Sequence, residues 1–404
     1  MLMIANLQYS WTLFVQPIRA ATGWKLADVQ WAFTLYILFQ TWVMPLEGWL
    51  IDRMGPRIFI SIAGVICGVG WAAMGHAHTL PELYVAYAVA GMGAALVYSG
   101  SMATGLKWFP DKRGLASGII AAGYGSGSAA FIPVIAAIIR HYDYQHAFLF
   151  TGIAQGTIIF LAAQLLRKPG PEVSQWKATW KAPSPHVRRN TEHFTTWEML
   201  RTPHFYALYA MMVMMATGGL LITAQAGPVS RNWNISASFL TLALALNPIA
   251  NGASRISWAW LSDRLGRENT MSVVFTLHAV CLASVMLLGR LSGELFTLTL
   301  VLAFFTWGET FSIMPSLVGD YYGVRYVTSN YCFLYSGKGV ASIIGGGVGA
   351  LLFEWFGSWS AAFYGSAVMA LIAGAMALAL KSVPLPTKKT HPIYPAMSTN
   401  PAVG

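Results

Sequence analysis

Two basic residues lie inside long apolar segments of this chain, where a charged side chain is unusual. Arg255 falls within the apolar run 239–261, and Lys338 falls within the apolar run 327–353. A charge at bilayer depth costs at least ~2.5–3.5 kcal/mol on insertion scales, so it persists where it faces a cavity, a partner or a substrate. Too few carboxylates accompany the two cations to neutralise them, and we therefore expect an anion to complete the site. The pattern indicates a channel or a carrier for small anions.

The composition of the chain requires a membrane around these segments. Of its 404 residues, 56% are hydrophobic and 10% are charged, whereas an ordinary soluble domain is ~25% charged. The mean hydropathy is +0.54, and the chain is predicted to be a polytopic membrane protein. Its net charge of +10 is scattered over short loops, which argues against nucleic-acid binding and fits contact with an anionic lipid surface.

Hydropathy predicts an all-α protein of about twelve transmembrane helices, each near the ~20 residues that a bilayer requires. The spans predicted for the first half are 1–19, 29–51, 57–76, 81–107, 114–139 and 146–167. Those predicted for the second half are 203–228, 237–261, 270–289, 294–318, 326–353 and 359–381. The expected domains are an N-terminal half (1–167), a linker with a short interfacial helix near 195–201 (168–202), a C-terminal half (203–381) and a tail (382–404).

The basic residues of the loops predict the orientation, because loops rich in lysine and arginine stay in the cytoplasm. The side that holds the linker has many of them: Arg53, Arg57, Lys107, Lys112, Arg113, Arg264, Arg267, Arg325, Lys381, Lys388 and Lys389. The opposite side has fewer: Arg19, Lys25, Arg140, Arg231 and Arg290. The linker and the C-terminus are thus expected in the cytoplasm. The first span is short and already apolar at Met1, so we expect roughly ten to thirty further residues upstream in the native gene.

The two halves of the chain repeat a loop motif. GWLIDRMGPR at 48–57 and AWLSDRLGR at 259–267 each join the second and third predicted spans of their half. Asp52 and Arg53 recur as Asp263 and Arg264. An aspartate in such a turn can cap a helix and pair with an arginine, so that the loop holds neighbouring helices together in one conformation. Two duplicated halves predict a substrate site at their interface, near the middle of the membrane.

The repeated Asp-Arg-x-Gly turn resembles the signature loop of the major facilitator superfamily. Longer strings resemble the bacterial oxalate:formate antiporter family of that superfamily, and the resemblance runs through all twelve spans. They are QYSWTLF at 8–14, WFPDKRGLASG at 108–118, AAGYG at 121–125, MLRTPHF at 199–205 and AFFTWG at 303–308. The resemblance implies a secondary transporter of the inner membrane that carries small carboxylates by alternating access, most simply as an antiporter.

The resemblance also implies which residues bind the substrate. Arg255 and Lys338 match the two cations that neutralise the substrate carboxylates in the family. The polar and aromatic side chains that would enclose the substrate are Gln8, Tyr9, Tyr98, Tyr124 and Trp307. The sequence contains neither a set of catalytic residues nor a cluster with metal-ligand spacing, so we expect no cofactor, no metal and no enzymatic activity. We also expect the protein to be a monomer in the bilayer.

The sequence departs from the family pattern in the tenth predicted span. Phe311 stands where a tyrosine is expected one turn beyond Trp307, and Glu309 adds a carboxylate at membrane depth. Glu309 is expected to be a proton-coupling group, a counter-ion to Lys338 or Arg255 between substrates, or a packing residue. A proton-coupled symporter of lactate- or pyruvate-like monocarboxylates is therefore the alternative function. A non-transporting membrane sensor is the alternative from another class, although the linker and tail are small for an output domain.

Overall fold

The computed structural model describes residues 1–45, 50, 54–108, 113–167, 187–323 and 325–388, and every regular element within these ranges is helical. The helices of the first half are α1 (Leu2–Tyr9 and Trp11–Thr22), α2 (Leu26–Trp42), α3 (Pro56–Ala73), α4 (Leu80–Trp108), α5 (Arg113–Ser126 and Phe131–His141) and α6 (Tyr144–Gln164). Those of the second half are α7 (Pro203–Asn232), α8 (Ala237–Leu265), α9 (Arg267–Leu287), α10 (Gly293–Trp307 and Thr310–Tyr322), α11 (Val327–Tyr335, Gly337–Ser342, Ile343–Val348 and Gly349–Phe356) and α12 (Ser360–Ser382). The prediction of an all-α membrane protein is confirmed.

Each of the twelve predicted spans contains helix, but not all are equally apolar. Within the described ranges, nine helices are long and apolar enough to cross a membrane. The other three have local reasons for falling short. The first is interrupted at Ser10, the second is described over 17 residues, and the eighth carries Asn247, Asn251 and Arg255 in its interior. In the eighth helix, two of the polar residues that lower its hydropathy, Asn251 and Arg255, belong to the site described below.

Glycines allow the helices of the two halves to approach one another. In α11, a Cβ on Gly346 would meet the Thr34 hydroxyl of α2, and one on Gly347 would meet the Trp31 ring. In α7, the amide of Gly227 donates to Thr12 Oγ1 of α1 at 2.6 Å. The glycine-rich stretch of α11 thus serves close packing, because a side chain at either position would push α2 away.

Main-chain hydrogen bonds join the segment before α7 to the C-terminal end of α10. Asn190 N donates to the carbonyl of Asp320 at 2.8 Å, and Phe194 N donates to the carbonyl of Tyr322 at the same distance. The short helix Thr196–Leu200 follows, with a capping box in which Thr195 and Glu198 satisfy each other's backbone amides. Hydrogen bonding from Thr195 lowers the pKa of the Glu198 carboxyl. This segment is packed onto the end of α10.

Candidate functional site

Lys338 of α11 is buried at the interface of the two halves, with a side chain only 1% exposed. Its ammonium group donates to Gln8 Oε1 at 2.7 Å, to Gln40 Oε1 at 2.9 Å and to the Tyr335 hydroxyl at 3.3 Å. An ammonium has three donors, and each has a neutral acceptor here. The first two acceptors come from α1 and α2, so Lys338 joins the halves through uncharged groups.

A closed ring of hydrogen bonds orients the two amides that hold Lys338. Gln40 Nε2 donates to the Tyr124 hydroxyl at 2.7 Å, and that hydroxyl donates to Gln8 Oε1 at 2.7 Å. Gln40 Nε2 also lies 3.2 Å from the Tyr36 hydroxyl. Because the amide nitrogen of Gln40 is used by the two tyrosines, its oxygen must face Lys338. The lysine is thus positioned by side chains from three helices of the other half.

Arg255 of α8 is the second buried cation, with 3% of its surface exposed. Its Nε donates to Asn251 Oδ1 at 3.0 Å, one turn earlier on the same helix, and its Nη1 donates to the carbonyl of Ala121 on α5 at 3.2 Å. The approach of α5 to α8 depends on Gly125, because a Cβ there would crowd Asn251 and Arg255. Arg255, like Lys338, therefore bridges the two halves.

Phe311 of α10 lies next to both cations. The Cζ atom of Arg255 is 5.2 Å from the centre of the Phe311 ring, and the Nζ atom of Lys338 is 5.6 Å from the same point. Trp307, one turn earlier on α10, packs edge-on against Phe311 with ring centres 5.3 Å apart. A phenylalanine between two cations offers the face of its ring to the positive charge but no hydrogen-bond donor to an anion.

Tyrosines complete an aromatic wall around the cations. The rings of Tyr9 and Tyr124 are 5.9 Å apart, and those of Tyr98 and Tyr124 are 5.5 Å apart. Tyr98 in turn stacks on Tyr335 at 5.9 Å. The seven side chains predicted to bind the substrate are therefore brought together in one buried cluster, drawn from α1, α4, α5, α8, α10 and α11.

The cluster carries positive charge without a carboxylate partner. Among the described residues, no aspartate or glutamate forms a salt bridge with Arg255 or Lys338. Buried polar atoms nearby also have no partner within the described part of the chain: Gln8 Nε2, Asn251 Nδ2, Ser254 Oγ and Trp307 Nε1. Unsatisfied buried donors are costly, and an anion among them would accept their hydrogen bonds.

Glu309 is fully buried at the break between the two segments of α10, but it pairs with neither cation in this structure. Its Oε1 accepts a hydrogen bond from Thr310 at 2.9 Å, and its Oε2 has no partner among the described residues. The role of Glu309 as a counter-ion or a proton carrier stays a prediction.

Two residues of the cluster, Gln40 and Tyr335, were not predicted from the sequence. Gln40 is an amide inside an apolar span, which is the same signal that singled out Gln8. Tyr335 lies three residues before Lys338, a spacing that places both on one face of a helix. These two features of the sequence could have identified Gln40 and Tyr335, although neither feature shows that the side chains contact Lys338.

The second loop motif forms a cluster of charges at the linker end. Asp263 pairs with Arg267 at 2.6 Å, and Arg267 also pairs with Asp320 of α10 at 3.1 Å. Arg189 of the linker reaches the same Asp320 at 3.1 Å, whereas the guanidinium of Arg264 lies over the Trp260 ring at 3.8 Å. Arg267, which Asp263 holds by a salt bridge, thus links the α8–α9 turn to α10. The predicted counterparts Asp52 and Arg53 lie outside the described residues.

Comparison with known proteins shows the family of this chain. The model of the Major Facilitator Superfamily matches residues 1–226 and 206–401. The oxalate:formate antiporter of Oxalobacter formigenes is 38% identical over 396 residues, which are 98% of this chain and 92% of that protein.

More distant relatives are also named as carriers. The apicoplast pyruvate carrier 1 of Toxoplasma gondii is 24% identical over 379 residues, 80% of this chain and 69% of that protein. Monocarboxylate transporter 12-B of Danio rerio is 23% identical over 361 residues, 83% of this chain and 74% of that protein. The match to the superfamily model and the 38% identity along nearly the whole chain show that this protein belongs to the oxalate:formate antiporter family of the Major Facilitator Superfamily.

Proposed function

We propose that this protein exchanges small carboxylates, of the size of oxalate and formate, across the inner membrane. The observation that carries the proposal is the pair of buried cations, Arg255 and Lys338, which have neutral partners and no carboxylate within the described part of the chain. A relative with 38% identity is named for the exchange of oxalate and formate. The matching family model and this relative are those of transporters, so we expect transport rather than catalysis.

Alternating access follows from the way the cations bridge the halves. We assign residues 1–167 and 203–381 to two lobes that move against each other, with the linker and the C-terminus in the cytoplasm and a single chain as the working unit. An empty site with two cations is costly to move through a low-dielectric region. A bound carboxylate cancels part of that charge, so the loaded carrier reorients more readily than the empty one. Exchange is the expected result.

The remaining predicted residues form the walls of the binding site. Gln8 Nε2 and Trp307 Nε1 are buried donors without a partner among the described residues, so both can donate to a bound anion. Tyr9, Tyr98 and Tyr124 supply the aromatic wall, which excludes water and so strengthens the attraction between the anion and the cations.

Counterflow in liposomes tests the proposed function. Purified protein is reconstituted into vesicles loaded with unlabelled oxalate, formate, lactate or pyruvate, and uptake of the same labelled anion is followed. We expect counterflow for at least one of these carboxylates and none for an uncharged analogue such as the amide. A protein that exchanges none of the four would refute carboxylate transport.

A proton-coupled monocarboxylate symporter is the second candidate, because a fully buried carboxyl group lies in α10 with one oxygen unpartnered among the described residues. The distant relatives named as pyruvate and monocarboxylate carriers lend it support. In this mechanism Glu309 takes up a proton with the substrate and releases it on the other side. The carrier can then return empty.

Substitution of Glu309 separates the two candidates. If Glu309 carries a proton, uptake should rise as the external pH falls, and Glu309→Gln should flatten that dependence while exchange continues, because glutamine cannot release a proton. Initial rates of uptake between pH 5 and 8 measure the effect, with the exposed Glu294→Gln as the matched control. Wild-type uptake that does not vary with pH, together with a fully active Glu309→Gln, would leave Glu309 with a packing role and remove the symport alternative.

A further inference from the structure

The three hydrogen bonds of Lys338 are not equivalent. Gln8 and Gln40 accept at 2.7 and 2.9 Å, and both amides are locked by Tyr124. The Tyr335 hydroxyl accepts at 3.3 Å, which is beyond the usual range for a strong N–H···O bond. An anion that binds Lys338 must take one of the three ammonium donors from its present acceptor. The hydrogen bond to Tyr335 is the longest of the three, so that donor is the one released at the lowest cost.

The position of the Tyr335 hydroxyl is set by its ring. The ring stacks on Tyr98 at 5.9 Å and packs against Phe311 at 5.8 Å and Tyr331 at 5.6 Å. Three ring contacts hold the hydroxyl beside Lys338 whether or not the hydrogen bond is made. Tyr335 therefore holds a neutral acceptor beside Lys338, and a carboxylate oxygen could compete with it for the same ammonium donor.

Arg255 differs from Lys338 in having donors to spare. A guanidinium has five N–H donors, and its hydrogen bonds to Asn251 and Ala121 use two of them. The hydroxyls of Tyr9 and Tyr98 lie close to it, but they do not compete as a carboxylate would for a charged, bidentate contact. The first carboxylate of a substrate can thus bind Arg255 without displacing a partner of Lys338.

We propose that Tyr335 sets the selectivity of this site between monocarboxylates and dicarboxylates, an inference that rests on the proposed function. A monocarboxylate binds at Arg255 while the Tyr335 hydroxyl keeps the third donor of Lys338 occupied. A dicarboxylate draws that donor onto its second carboxylate, and the Tyr335 hydroxyl loses its hydrogen bond to Lys338 without moving. One site thereby accepts both singly and doubly charged anions, as exchange between a dicarboxylate and a monocarboxylate requires.

Removal of the Tyr335 hydroxyl tests the proposal, because the proposal predicts that oxalate binds more tightly to the variant. Tyr335→Phe keeps the ring and its packing but leaves the third donor of Lys338 without an acceptor, so a dicarboxylate gains more from binding. Competition by unlabelled oxalate and formate against labelled substrate is measured on the full chain in liposomes. We expect the half-inhibiting concentration of oxalate to fall about fivefold, as for one net hydrogen bond, while that of formate changes less than about twofold.

The matched control is Tyr206→Phe. Tyr206 lies on α7 outside the buried cluster, with 62% of its surface exposed. This variant should leave the oxalate-to-formate ratio of the wild type unchanged. An unchanged ratio in Tyr335→Phe would overturn the proposal. Weaker oxalate binding in Tyr335→Phe would also overturn it, because the hydroxyl would then be a ligand of the dicarboxylate.

The failure of this proposal can be told from the failure of the proposed function. If the wild-type protein shows no counterflow with any carboxylate, the proposed function is wrong. If the wild type exchanges oxalate and formate but Tyr335→Phe keeps their ratio, only the role of Tyr335 is wrong. Binding measured by thermal shift of the detergent-purified variant, at increasing oxalate concentration, gives the same comparison without transport.

Discussion

Arg255→Gln and Lys338→Gln are each expected to abolish carboxylate exchange while leaving the protein in the membrane. Each variant removes one of the two buried charges that would hold the anion. Loss of one member of a buried, hydrogen-bonded charge pair costs about 3 kcal/mol or more, which corresponds to at least about a hundredfold loss of affinity. Glutamine keeps the polarity of the position and can still hydrogen-bond with Asn251 or with Gln8 and Gln40. The measurement is counterflow of labelled oxalate in liposomes of known protein content.

Basic residues outside the cluster provide matched controls for this experiment. Lys25 and Arg290 are exposed at the opposite end from the linker, and Lys25→Gln and Arg290→Gln should exchange oxalate at rates within about twofold of the wild type, as is usual for surface substitutions. If Arg255→Gln or Lys338→Gln were as active as these controls, that residue would not bind the anion. Each variant therefore tests its own cation, whatever the result for the other.

Gly219→Ala is expected to reduce exchange by about tenfold or more, because it changes the position of Trp307. Gly219 lies on α7, and a Cβ at that position would overlap the indole ring of Trp307. The indole is fully buried and packs edge-on against Phe304 and Phe311, so it cannot move without displacing the ring beside both cations. Overpacking of a dense interior typically costs 1–3 kcal/mol, and part of that cost should appear as a loss of affinity for the substrate.

Gly365→Ala is the matched control for Gly219→Ala. Gly365 lies inside α12, and a Cβ there would meet no atom within 4 Å. The control should exchange normally and should be slightly more stable, because alanine favours helix over glycine by up to about 1 kcal/mol. The half-saturating oxalate concentration and the thermal stability are measured for both variants. A Gly219→Ala protein with the affinity of Gly365→Ala would show that α7 does not fix the position of Trp307.

Much of the site could be predicted from the sequence, because charged and amide side chains are rare in membrane-spanning segments and are easily recognised there. Arg255 and Lys338 stand out as the cations of two apolar spans, and Gln8 stands out as an amide at the same depth. The position of a polar residue within an apolar run depends on the local sequence alone. The resemblance to a transporter family then supplied the aromatic residues, which composition could not have singled out among so many.

The surroundings of the Glu309 side chain could not be read from the sequence. Its position two residues from Trp307 left proton coupling, pairing with a cation between substrates and packing all open, and in the structure its Oε1 accepts a hydrogen bond from Thr310. α10 breaks at Gly308 and Glu309, so a spacing of two residues does not say which way the side chain points. Gly308 itself packs against Asn251 of α8, and this contact between helices cannot be read from either helix alone.

The sequence by itself determined the class of protein, its helical spans and the two cations that call for an anion, because burial in lipid acts on each segment separately. Only the tertiary structure decided what surrounds those cations. Gln40 and Lys338 are far apart in the chain, and their contact depends on how closely α2 can approach α11 past Gly346 and Gly347. The ring of amides and tyrosines and the weak bond to Tyr335 follow from that approach. Helix periodicity sets which face a residue occupies, whereas the packing of helices from both halves sets which residues meet.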